Sequence, residues 1–256
     1  MLILLPPSEG KASGQRGRPL DLDRLSFSEL APTRTAVIDA LVAASGRDDA
    51  LAVLGAPAGA KDQVSGNVDL WTAPTLPASG LYTGVLYDAL DLASLDAAAK
   101  RRANKRLVVV SALFGALRPS DRVPSYRLSM DVDLPGVGKL AAAWRDPLAA
   151  VLPEAAGRGL VVDMRSSTYV AAWKPVGALG ERTVSIHVVR EENGKRSVVS
   201  HMAKHTRGLV ARHLLETGID PRTPEALADA LADEYHVELE NARAGRPRRL
   251  EIVEPA

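Results

Sequence analysis

Val108–Met130 reads V-V-V-S-A-L-F-G-A-L-R-P-S-D-R-V-P-S-Y-R-L-S-M. Its β-branched opening marks a strand buried on both faces. Ser111, Phe114-Gly115 and Arg118-Pro119 then break it into polar chain carrying Arg118, Arg122 and Arg127. A buried strand that passes straight into cationic loop is one way to present side chains at the rim of a sheet. The same residues also suit a core strand followed by a solvated turn.

Working outward, other segments repeat this grammar. Leu2–Leu5 reads as a short buried strand that Pro6-Pro7 ends, since neither proline can donate to a ladder. Ser8-Glu9-Gly10-Lys11 follows as a small turn, in which a lysine beside glycine and serine can hold an anion as a point charge. Gly159–Met164 is a third strand, emptying into Arg165-Ser166-Ser167-Thr168-Tyr169. Gly14–Asp23 reads as loop, and helical patterns begin near Ser28, Val85 and Leu95. The basic run Lys100–Arg106 suits a solvated helix end or a phosphate-contacting patch. Asn193-Gly194 between β-rich runs (Thr183–Val189 and Arg196–Met202) predicts a β-hairpin. Pro224–Tyr235 reads as a helix, with terminal strands at His236–Leu239 and Arg249–Val253.

Composition narrows the function classes. The 256 residues suffice for a substantial core, and no repeat or linker divides them, so residues 1–256 read as one domain. Lys+Arg of 32 against Asp+Glu of 31 leaves a net charge of +1, so any polyanion site must come from local segregation of charge. No cysteine is present, which excludes disulfides and thiolate chemistry. The apolar N-terminal run is too short for a signal peptide or membrane span, which predicts a soluble, cytoplasmic protein. An aromatic content of 4% argues against an extended single-strand nucleic-acid reader. His187 and His201 could share a face, and His201 and His205 stand four apart across a strand-to-helix junction, but two histidines without a third ligand make a weak metal site. No metal and no cofactor are expected.

Two basic segments stand apart. In Asp133–Trp144, the L-P-G-V-G-K run fits the hairpin of helix-hairpin-helix DNA-binding units, with Lys139 on a phosphate, though no first helix precedes it. It could also simply start a helix Lys139–Leu152. In Ala203–Arg212, helical spacing puts Lys204, Arg207 and Ala211 on one side. Cations in a first helical turn oppose the dipole, a cost that a bound anion would offset.

The L-F-G-A-L-R-P-S-D…P-S-Y-R-L-S-M string resembles the signature of the YaaA family, also designated UPF0246. Weaker likenesses follow in order: the Pro6–Lys11 turn, Tyr82-Thr83-Gly84, Asp163–Tyr169 and Ala203–Arg212. Departures include Ala12 for a threonine and Thr168 for a glutamate. The resemblance implies a single mixed α/β (α+β) domain with flanking helices and a positively charged cleft. It implies a role in peroxide stress, in which limiting iron spares DNA, with DNA binding as the associated activity.

Two functions follow. In the first, Lys11, Arg118, Arg127, Arg165, Lys204, Arg207 and Lys139 converge and grip double-stranded DNA by its backbone. In the second, the same cleft binds an anionic nucleotide-like molecule, and Tyr126, Ser166 or Tyr169 moves a proton. A tyrosine would need a neighbouring cation to act as base near neutral pH.

Overall fold

The computed structural model describes residues 1–14 and 16–255; Gln15, inside the stretch read as loop, lies outside the described residues, as does Ala256. The main sheet is built from eight strands: β1 (Leu2–Leu5), β2 (Leu107–Ser111), β3 (Gly115–Leu117), β4 (Val161–Asp163), β5 (Thr183–Glu192), β6 (Lys195–Ser197), β7 (Val237–Leu239) and β8 (Arg248–Pro255). Their order is β7-β8-β5-β4-β1-β2-β3, with β6 paired to β5. The five strands from β8 to β2 are parallel, and the pairs β2–β3, β5–β6 and β7–β8 are antiparallel. This is the mixed α/β architecture the sequence predicts.

The central strands are buried along their whole length, as their unbroken Leu, Ile and Val runs require. Helices cover them: α1 (Ala31–Ser45), α2 (Val85–Leu90), α3 (Ala97–Arg106), α4 (Arg145–Ala156), α5 (Ser200–Glu216) and α6 (Pro224–Ala232). Asp96 caps α3 by accepting from the Ala99 amide at 2.6 Å, and Thr223 caps α6 at Ala226. The helix α5 lies against α2 and α3.

Four segments depart from the sequence reading. Phe114-Gly115 does not lead into loop: Gly115 takes φ +71°, its Cα side pressed by the Trp144 ring, and β3 returns antiparallel to β2. Arg118 is thereby carried back to the N-terminal end of β2. The Leu134-Pro135-Gly136-Val137-Gly138-Lys139 run is a two-stranded hairpin, with Asp133 paired to Lys139 and both glycines at positive φ. Lys139 starts only one helical turn, Leu140–Ala143; Pro147 then falls in the first turn of α4, where a missing N–H costs nothing. The strand expected over Arg196–Met202 stops at Ser197, because α5 begins at Ser200. Lys204 and Arg207 therefore sit in its second and third turns, away from the unfavourable dipole end. The hairpin itself forms with Asn193 and Gly194 both at positive φ, the pattern of a type I′ turn.

Gly208 marks the closest approach of α5 to α2. A β-carbon there would lie 2.3 Å from the Leu86 carbonyl oxygen and 2.8 Å from Ala89 Cβ. We expect Gly208→Ala to force the helices apart and destabilise the chain by about 1–3 kcal/mol, the usual cost of overpacking. Urea unfolding measures it, and an unchanged midpoint would mean that the two helices slide freely.

Candidate functional site

The parallel register fixes where a site can form. Leu4 pairs with Val108 on one side and Asp163 on the other, so the C-terminal ends of β1, β2 and β4 share one edge. From β1 the chain first adds β2 and β3 on one side, then returns to add β4 and β5 on the other. Strand order therefore reverses at the β1–β4 junction, the place where open parallel sheets leave a crevice. The Pro6–Lys11 loop leaves β1 at this point.

That loop is held by backbone bonds to the Tyr82 segment. The Ala12 amide donates to the Leu81 carbonyl at 2.8 Å and the Thr83 amide to Gly10 at 3.3 Å. Lys11 Nζ donates to the Ser8 carbonyl at 2.8 Å and lies 4.2 Å from the centre of the Tyr126 ring. Burial lowers the Lys11 pKa from 10.5 to about 7; Glu9 opposes the shift and Arg127 adds to it.

Tyr126 is the hub of a buried hydroxyl chain. Its oxygen lies 2.7 Å from Ser111 Oγ and 3.1 Å from the Tyr82 hydroxyl. Ser111 Oγ already accepts from the Leu113 and Phe114 amides, so its own proton goes to Tyr126. Two bonds among three hydroxyls use two of three protons, and one phenolic O–H remains unspent. Tyr87 donates to the Pro6 carbonyl at 2.6 Å and stacks on Tyr82. Burial pushes the phenols of Tyr82, Tyr87, Tyr126 and Tyr169 up, so they are protonated donors near neutral pH. The cation beside Tyr126 lies over its ring face, and the group suited to take a proton is Lys11 itself.

Arg127 reaches the same place. Its backbone is clamped by the fully buried Asn67, which accepts from the Arg127 amide at 2.9 Å and donates to its carbonyl at 3.0 Å. Its guanidinium pairs with Glu9, whose side chain is 63% exposed. Beyond the pair lies a cavity of about 430 Å³ lined by Glu9, Arg127, Ser129, Asp131 and Asp133 among others. Tyr169, buried, feels Tyr126, Glu9 and Asp131 after the larger effect of burial. A larger cavity, about 1040 Å³, lies elsewhere, between Gly17–Leu25 and Trp71, and none of the residues just described lines it.

The other residues singled out from the sequence are placed differently. Arg165 is fully engaged within the fold: Nε and Nη2 donate to both Asp163 oxygens at 2.8 and 2.7 Å, and further bonds reach the Tyr169 and Trp173 carbonyls. Breaking so buried a pair costs about 3–5 kcal/mol, which makes it a structural tie. Arg118 donates to the Lys105 and Leu107 carbonyls at the opposite edge of the sheet. Arg207 donates to the Ile186 carbonyl on β5. Lys204 on α5 and Lys139 on its hairpin are exposed, as is Ser166 at the head of the turn Ser167–Val170. Of the seven basic residues, then, Lys11 and Arg127 meet. Among the described residues no group of three His, Asp or Glu side chains is placed to hold a metal, and no helix is long and apolar enough to cross a membrane.

Sequence reasoning passed over Glu9, Tyr87 and Asn67. Glu9 stands two residues from Lys11, a signal that was available; Asn67 lies 60 residues from the backbone it clamps and gave none.

Residues 1–241 match the family described as Peroxide stress protein YaaA. A UPF0246 protein of Streptomyces coelicolor is 52% identical over 257 residues, covering 99% of this chain and 98% of its own. A UPF0246 protein of Corynebacterium efficiens is 42% identical over 233 residues, covering 90% and 91%. One of Corynebacterium glutamicum is 39% identical over 229 residues, covering 88% and 89%.

The lowered Lys11 pKa makes a pH-dependent contribution to stability. Between pH 7 and 10.5 the unfolded lysine binds a proton that the folded one lacks, so this contribution rises with pH through that window. We expect the urea midpoint of the wild type to rise relative to Lys11→Met from pH 7 to pH 9. Parallel curves for the two proteins would refute a lowered pKa.

Proposed function

Because this chain belongs to the YaaA family of peroxide stress proteins, we propose that its part in that response is carried by the Lys11–Arg127 crevice acting on a small anionic, nucleotide-like molecule. The observation that carries this reading is the meeting of Lys11, Arg127 and the Ser111–Tyr126–Tyr82 hydroxyl chain beyond the C-terminal ends of β1 and β2.

Each group has a role in it. Arg127 offers a planar fork suited to phosphate or carboxylate once Glu9 leaves it. Glu9 can leave cheaply, because an ion pair with a largely exposed partner is worth about 0–1 kcal/mol. Lys11, titrating near neutrality, is matched to proton transfer, and the buried phenols serve as donors. Tyr169, buried on the turn after β4, is near enough to Glu9 and Asp131 to feel their charge.

A second reading, in which a positively charged cleft grips duplex DNA and spares it iron-linked damage, draws support from a different observation. Lys139 projects from a glycine hairpin and Lys204 from α5, both exposed, where phosphates could reach them. In this reading Lys11 and Arg127 add to the grip.

One experiment separates the two. Thermal shift and calorimetry with a panel of nucleoside mono- and diphosphates should give saturable binding that Arg127→Ala weakens at least tenfold. No shift with any nucleotide, together with duplex binding that weakens steeply as salt rises and is lost in a Lys139→Ala/Lys204→Ala double variant, would favour the DNA reading instead.

A further inference from the structure

The Lys11 amine differs from the other seven lysines of the chain in its surroundings. Its nitrogen donates to the Ser8 carbonyl at 2.8 Å. Aromatic rings wall it, with Tyr126 at 4.2 Å and Tyr82 at 5.8 Å from their centres. The Arg127 guanidinium repels its charge and Glu9 attracts it somewhat more, while burial outweighs both. Desolvation in an apolar pocket and an adjacent cation are the two means by which a lysine becomes a nucleophile.

Resting on the small-anion reading above, we propose that Lys11 is a covalent nucleophile, whose amine condenses with the carbonyl carbon of an anionic aldehyde or ketone to form an imine. The neutral amine's lone pair forms the C–N bond while the carbonyl π pair moves to oxygen, giving a carbinolamine. The carbinolamine then loses its hydroxyl as water. The departing oxygen takes a proton from the buried hydroxyl chain, which holds one O–H in excess of its bonds, and the nitrogen's proton refills that chain. Amine plus carbonyl give imine plus water, so neither oxidant nor reductant is needed. Arg127 holds the substrate's anionic end, which gives the two cations separate tasks.

A lysine whose task is to hold an anion keeps its ammonium. The Tyr126 ring face and Glu9 favour that form, and burial, the largest effect, outweighs them with Arg127 adding to it. The pKa of about 7 follows from the same surroundings and leaves much of the amine neutral under ordinary conditions. Lys11 is partly exposed, beside the Glu9–Arg127 pair that borders the cavity.

The test uses the full chain and glyoxylate, a minimal anionic aldehyde, with cyanoborohydride at pH 7.5 and peptide mass spectrometry. With a pKa near 7 against the usual ~10.4, Lys11 should be labelled on the order of 100-fold faster than the average of the other lysines. Replacing glyoxylate with the neutral acetaldehyde, or Arg127 with Ala, should shrink that preference. Labelling at Lys11 no faster than elsewhere would overturn the proposal, because the amine would then be an ordinary one. If nucleotides still shift the melting temperature while Lys11 stays unreactive, the imine fails and the small-anion reading stands. If Lys11 is captured while no nucleotide binds, the nucleophile stands and the ligand class assigned above must be replaced.

Discussion

Everything at the candidate site depends on a four-residue constraint: β1 is apolar throughout, carries no exposed face, and must hydrogen-bond on both sides at once. Leu2–Leu5 can satisfy its backbone only between two parallel neighbours, since no water reaches it. Parallel pairing with β2 and β4 lines up three C-terminal ends and leaves Pro6-Pro7 to turn the chain out over them. The polar groups of the crevice are therefore positioned by strands that have no polar side chain until their last residue. Ser111 ends β2 and Asp163 ends β4. A rigid apolar floor with chemistry confined to its rim is a sound support for a site, because packed strands resist small displacements.

The signature stretch divides its labour between these two levels. Asp121 accepts from the Arg118 amide at 2.7 Å and from Ser26 at 3.0 and 2.8 Å, and the Arg118 guanidinium ties off two carbonyls near the start of β2. These residues hold the fold. Tyr126 and Arg127, a few residues on, turn to the other edge and face the crevice. Arg34 belongs with the first group: completely buried, it donates to the Phe114 and Ala116 carbonyls at 3.0 and 2.8 Å and to Ser26, locking β3 in place. Charge in a signature thus does not by itself mark a ligand contact.

That distinction decides how much was legible beforehand. Strands β1, β2 and β4 were readable because buried parallel strands are continuous apolar runs, and the Asn193-Gly194 turn because its chemistry is local. The resemblance to the YaaA family was also readable, and the family match upholds it. The return of β3 was hidden, since it depends on Gly115 meeting a tryptophan 29 residues away. Arg165 was open to reading: Asp163 stands two residues earlier, on the same face of an extended chain, so an internal pair was available from period alone. Arg207 and Arg118 could not be resolved that way, because their partners are carbonyls, which carry no sequence signal.

The Glu9–Arg127 contact has a consequence for which molecules the crevice can admit. A carboxylate tethered a few residues from Lys11 acts as a built-in competitor, present at an effective concentration on the order of millimolar. Chloride, acetate and other singly charged ions offer Arg127 a single point of attachment, which Glu9 already gives. Only a visitor able to engage a second group in the crevice gains by evicting the carboxylate. The loop thereby turns a generic affinity for negative charge into a demand for two-point attachment.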